Sequence, residues 1–132
     1  MTPEVVSLAT LRAQYGTATP RRQFLFERLA TVINLLHETG HVRRIYLFGS
    51  FATETPVPND VDLFVVMSQD FTTALLSQAL VDVFTHDMCR IGYNVDVFWV
   101  TEAVGENQIE AVLSVFSVNR NRQPQPILEV KR

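Results

Sequence analysis

The stretch YLFGSFATETPVPNDVDLFVV, residues 46–66, decides how this chain is read. It holds two apolar runs of the length of buried strands. The first begins at Ile45, ends at Phe48 and is stopped by Gly49-Ser50. The second runs from Val61 to Met67. Between them, Thr53, Thr55, Pro56, Pro58 and Asn59 give the composition of a loop. Two aspartates, Asp60 and Asp62, open the second run. Ionised carboxylates are costly on a strand that otherwise reads as buried. Something must offset that cost.

Working outward, TATP upstream is a helix start, with Thr19 as N-cap and Pro20 at the first helical position. The spacing predicts a helix over Pro20 to Thr39 with Leu25, Leu29, Val32, Ile33 and Leu36 on one face, and Gly40 as its stop. Downstream, Asp70 or Thr72 can cap a helix running to about Ile91. Leu75, Ala79, Val83 and Met88 would face inward and Gly92 would close it. NVDVFWV predicts a third strand, Asn94 to Val100, and a further helix follows from about Glu102 to Val115. RNRQPQP reads as an exposed turn, and Ile127 to Val130 as a last edge strand. Val5, Val6, Leu8 and Leu11 fit a short helix or packing arm. The expectation is a single α/β (α+β) domain over 1–132, a mixed β-sheet with helices packed on one face. Its core spans about 20–115, with an N-terminal arm over 1–18 and a C-terminal loop and edge strand over 117–132.

Composition agrees. A chain of 132 residues, 47% hydrophobic and 19% charged, can bury a real core. A net charge of -3 argues against nucleic-acid binding as a property of the whole surface. Every cation except Lys131 is arginine, which suits bidentate contacts to phosphate or carboxylate. The lone cysteine, Cys89, builds neither a disulfide framework nor a cysteine zinc site within one chain. It reads as a small buried apolar residue, and a reducing cytoplasm is the expected location. No signal-peptide pattern and no window of membrane-spanning length is present, so no membrane partner is expected.

Strand parity turns the aspartates into a cluster. Side chains alternate faces, so Asp60, Asp62 and Phe64 share one face, and in the third strand Asp96 shares a face with Phe98 and Val100. If the two strands are neighbours, three carboxylates converge. Without a cation at least one would take up a proton. A hard divalent metal, Mg²⁺ or Mn²⁺, keeps such a cluster ionised and leaves positions open for water and phosphate. Gly49 lets backbone approach a phosphate, and Ser50 adds an N–H and a hydroxyl. An Asp-x-Asp pair alone more often caps a turn or faces solvent. The joint order of strand, Gly-Ser, loop, Asp-x-Asp strand and later aspartate is far more specific.

With Gly49-Ser50, Asp60-Val61-Asp62 and Asp96 in VDVFWV, residues 20–115 resemble the nucleotidyltransferase superfamily with the DNA polymerase beta-like fold. The chain as a whole is similar to small bacterial nucleotidyltransferase-like proteins of uncharacterised function. The resemblance implies a minimal nucleotidyltransferase fold and metal-dependent transfer of a nucleoside monophosphate from a nucleoside triphosphate to a hydroxyl acceptor on a protein, an RNA or a small molecule. It implies that Asp60, Asp62 and Asp96 are catalytic and hold the metal, with Asp96 next to the incoming hydroxyl, and that Gly49 and Ser50 hold the triphosphate. Many small members follow Gly-Ser with a basic stretch. Here FATET follows, and no arginine or lysine lies between Ser50 and Asp60.

The remaining polar residues read as structural or solvated: His37 and His41 at a helix end, His86 on the second helix, and Arg43-Arg44 before the first strand. Arg120 and Arg122 are the best basic candidates for phosphate contact, and Phe51 is placed to stack on a base. Two function classes follow. One is the enzyme. The other is a catalytically weak or inactive nucleotidyltransferase-like module that binds and regulates a protein partner, of toxin–antitoxin or defence type. Either way a chain this short is expected to complete its cleft as a homodimer or with a protein partner, through Val5–Leu11 and the free edge of Ile127–Val130, while Val97 and Trp99 join the helix-covered core.

Overall fold

The computed structural model describes residues 2–74 and 76–132. Leu75, expected to face inward, lies outside the described residues. In chain order the elements are β1 (Glu4–Ser7), α1 (Leu8–Tyr15), α2 (Pro20–Glu38), β2 (Val42–Phe48), β3 (Val61–Met67), α3 (Gln78–Val83), α4 (His86–Tyr93), β4 (Val95–Thr101), α5 (Glu106–Phe116) and β5 (Leu128–Lys131). The sheet order is β1-β5-β2-β3-β4. β1/β5 and β3/β4 are parallel, and β5/β2 and β2/β3 antiparallel, which is the expected mixed α/β sheet.

α2 starts and stops where its sequence says. Thr19 accepts from the Arg22 N–H, Pro20 occupies the first turn, and Gly40 takes φ +73 past the end. Its buried face, Leu25, Phe26, Leu29, Val32, Ile33 and Leu36, packs with α1, α3 and α4 against Ile45, Leu47, Leu63, Val65 and Val97. The fifth helix differs. Through Ile109 and Leu113, α5 covers Tyr46, Phe48, Phe64 and Val66 on the opposite face. β3 is therefore buried on both sides, which is why its sequence is nearly continuous in apolar residues. Arg44 on β2 ties α5 down with a bidentate pair to Glu106 in its first turn, at 3.0 and 2.6 Å, so Arg44 is not simply solvated.

Three expectations are corrected. The C-terminal strand is not an edge: β5 lies between β1 and β2, with Leu128 and Val130 buried, and the edges are β1 and β4. The N-terminal arm packs on its own chain, pairing with β5 and burying Val6 and Leu11, so the free strand edge lies on β1, with Val5 exposed, and not on Ile127–Val130. The single helix over 70–91 is two. Ser77 caps α3, Asp70 instead accepts from Ser68 at 2.6 Å, and Ala79 and Met88 are exposed. The break falls at Phe84, whose carbonyl accepts from the Trp99 indole at 3.2 Å within a Phe71–Phe84–Trp99 cluster. Gly92 lies inside α4, and Asn94 at φ 58 supplies the left-handed cap.

Candidate metal centre

β3 and β4 run parallel in a register that sets Asp62 beside Asp96. Asp60 precedes Asp62 by two, so parity puts all three on one face. One carboxylate oxygen from each lies within 4.8 Å of the others. Asp96 is only 7% exposed, and its Oδ1 is buried without a hydrogen-bond partner among the described residues. The nearest basic side chains come from α4: His86 Nε2 at 3.4 Å and Arg90 Nε at 3.8 Å from that oxygen. Burial, followed by the charges of Asp60 and Asp96, pushes the Asp62 carboxyl up to about 7. Burial and then Asp96 raise Asp60 as well. Oxygen donors that repel one another, one of them desolvated and unpartnered, are a donor set that fits a hard divalent cation.

The glycine–serine turn is built against this cluster. Phe48 pairs with Asp62 across β2/β3, so Gly49 follows directly beside the carboxylate. Gly49 takes φ 82, and a Cβ there would sit 2.2 Å from Asp62 Oδ2. Only glycine fits both the backbone and the space. Ser50 opens a short 3-10 turn over Ser50–Ala52 and lines the cleft with Asp60 and Asp62. That cleft measures about 710 Å³. Its aromatic side is Phe48, Phe98 and Phe116, with Phe48 and Phe116 stacked at 4.2 Å. Residues 118–121 and 124–126 complete its lining.

Three residues that strand parity did not single out fix the loop between turn and aspartates. Arg22, 3% exposed, donates from Nη1 to the carbonyls of Tyr15 (3.2 Å) and Phe51 (2.9 Å) and from Nε to Thr55 (3.0 Å). Its Nη2 reaches Thr55 (2.6 Å) and Thr53. Arg21 donates to the carbonyls of Pro58 (3.0 Å) and Asn59, and Thr19 to Pro56 (2.9 Å). The first turn of α2 thus pins the chain leading into Asp60. The signal was available: Arg22 sits at helical spacing on the apolar face with Leu25, Phe26 and Leu29. The pairing of His86 and Arg90 toward Asp96 was likewise missed, although they stand four apart on one helix face.

The other candidates resolve simply. Phe51 is fully buried beneath Arg22, 5.2 Å from ring centre to guanidinium, so it cannot stack on a base. Phe98, 36% exposed, is the ring the cleft presents. Arg120 lines the cleft; Arg122, at φ 59, forms the turn beyond it. His41 Nδ1 lies 2.7 Å from Ser68 Oγ and is thereby engaged away from His37. Cys89 is buried, and burial pushes its thiol up to about 12, which leaves no thiolate nucleophile.

A family model described as "Family of unknown function (DUF6932)" matches residues 4–131, and the chain belongs to that family. No curated protein and no solved structure matches the chain. No helix among the described residues is long and apolar enough to cross a membrane.

Proposed function

We propose that this chain is a metal-dependent nucleotidyltransferase. The observation that carries the reading is the convergence of Asp60, Asp62 and Asp96 around a buried Oδ1 that has no hydrogen-bond partner among the described residues, beside a glycine with no room for a side chain. Asp60 and Asp62 would hold Mg²⁺ or Mn²⁺, with Asp96 as third ligand. The metal, when bound, supplies charge stabilisation to the phosphoryl oxygens. The backbone at Gly49 and the Ser50 N–H and hydroxyl bind the phosphates of a nucleoside triphosphate. In the reaction an acceptor hydroxyl oxygen forms the new bond to the α-phosphorus while the bond to pyrophosphate breaks. The hydroxyl proton passes to the Asp96 carboxylate, which stands in the same cluster as Asp60 and Asp62.

The test is incubation with Mg²⁺ or Mn²⁺ and each of the four nucleoside triphosphates labelled at the α-phosphate, with protein and RNA acceptors and an Asp62→Asn control. Label transfer that needs the metal and Asp62 supports the reading. Absence of any metal-dependent change in stability or nucleotide binding removes it. The lack of a cation between Ser50 and Asp60 favours a second reading, a regulatory module that binds a protein partner. Metal and nucleotide binding without turnover, together with co-purification of a defined partner, would favour the module.

A further inference from the structure

A polyphosphate held at Ser50 needs positive charge, and the near wall has none to give. Ser50, Thr53, Thr55 and Asn59 line it with hydroxyls and an amide. Arg43 and Arg44, the arginines closest in sequence, pair with Glu102 and Glu106, and Arg21 and Arg22 spend their donors on carbonyls of the loop between Ser50 and Asp60. His86 and Arg90 face Asp96. The C-terminal part of the lining differs. After α5 the chain turns back through residues 117–126 in a built hairpin. Val118 bridges Pro124, and Asn119 Oδ1 accepts from the N–H groups of Asn121 (2.9 Å) and Gln123 (3.0 Å). Gln125 closes it, donating from its backbone to Ser117 (2.8 Å) and from Nε2 to Phe116 (2.7 Å).

This hairpin carries Arg120 into the cleft that holds Asp60 and Asp62. Among the described residues the Arg120 guanidinium has no hydrogen-bond or ion-pair partner. It is near enough for its charge to oppose the upward shift of both aspartates, yet it closes on neither. An arginine whose task was to neutralise the aspartates would pair with them. One held apart on a braced turn keeps its planar fork free for a second anion.

We infer that Arg120 is the cationic arm of the cleft, binding the phosphate oxygens of a metal-bound polyphosphate, and that it supplies from the C-terminal hairpin the charge absent between Ser50 and Asp60. This rests on the metal site proposed above. The shared chemistry is a linear polyphosphate, from either a nucleoside triphosphate or inorganic tripolyphosphate.

The experiment measures binding of Mn²⁺ alone, of Mn²⁺ with tripolyphosphate, and of Mn²⁺ with each nucleoside triphosphate. The proteins are wild type, Arg120→Ala, Arg120→Lys and Arg122→Ala. Mn²⁺ alone should bind Arg120→Ala at least as well as wild type, because a nearby positive charge has been removed. Polyphosphate affinity should fall about tenfold or more in Arg120→Ala, recover in part in Arg120→Lys, and hold in Arg122→Ala. A loss in both polyphosphate arms assigns Arg120 to the phosphates whatever their source. A loss with nucleoside triphosphates alone, tripolyphosphate binding being unchanged, overturns the assignment to the phosphates. If Mn²⁺ binds but Arg120→Ala holds polyphosphate within about twofold of wild type, the inference is overturned while the metal site stands. If Mn²⁺ does not bind wild type, the metal site itself is overturned and this inference with it.

Discussion

Neutralising one carboxylate of the cluster should stabilise the metal-free protein, and only above a definite pH. Asp62 is raised from 3.8 to about 7, first by burial and then by Asp60 and Asp96. Folded Asp62 therefore holds a proton that the unfolded chain has released. With more protons bound to the native state, stability falls as pH rises from about 4 to about 7 and is level beyond. At about 1.4 kcal/mol per pH unit the full loss is about 4 kcal/mol. Asp62 is partly exposed, and hydration cuts this to about 2–4 kcal/mol. Asp62→Asn removes the titration and keeps the shape, so it should be more stable than wild type by that amount at pH 8 with a chelator present. For a domain of this size that is roughly 8–15 °C in Tm. At pH 4 the two proteins should melt together. The assay is thermal or urea unfolding across pH 4 to 9, with and without Mn²⁺. Mn²⁺ should raise the stability of wild type by about 2.7 kcal/mol at a hundredfold excess over Kd, and should leave Asp62→Asn unmoved. An Asp62→Asn protein less stable than wild type at pH 8, or a difference that does not change with pH, would refute the reasoning.

Gly49→Ala should cost about 1–3 kcal/mol in urea unfolding, because alanine at φ 82 is strained and its Cβ meets the Asp62 carboxylate; the same variant should lose the Mn²⁺ stabilisation. Arg22→Met should cost about 3 kcal/mol by stranding the carbonyls of Phe51, Thr53 and Thr55. Amide exchange over 51–55 should quicken with it, and Arg22→Lys should recover only part. Folded protein at pH 8 should resist alkylation at Cys89, with full reaction after urea unfolding, since burial pushes the thiol up to about 12. Rapid labelling of the native protein would show the site to be open.

Local chemistry was legible and long-range pairing was not. Thr19, Pro20 and Gly40 announce α2 because caps are local events. The parity of Asp60, Asp62 and Asp96 follows from strand geometry, and needed only that β3 and β4 be neighbours. The insertion of β5 between β1 and β2 depends on four-residue strands finding each other across the whole chain, which no window of sequence carries. The break at Phe84 depends on Trp99, fifteen residues on. Two signals were present and unread. Phe64 and Val66 are apolar on the carboxylate face, which requires a cover and so implied α5 there. Arg22 on an apolar helix face implied a buried cation with carbonyl partners.

The cost of the cluster makes the case for a cation independently of any resemblance. The chain's own basic side chains do not close on it. His86 at 3.4 Å and Arg90 at 3.8 Å stand beyond good hydrogen-bond distance from Asp96 Oδ1, and Arg120 lines the cleft without pairing with the aspartates. A buried acceptor left without a donor costs about 1–3 kcal/mol, and the proton forced onto Asp62 at neutral pH adds to it. Meanwhile the surroundings hold the three carboxylates in place. Arg21 and Arg22 pin the approach to Asp60, Gly49 yields its side-chain space to Asp62, and β4 sets Asp96 in register. On the proposed reading, a fold that braces a repulsive arrangement from three sides, and leaves Asp96 Oδ1 without a hydrogen-bond donor among the described residues, suits a positive charge from outside the chain.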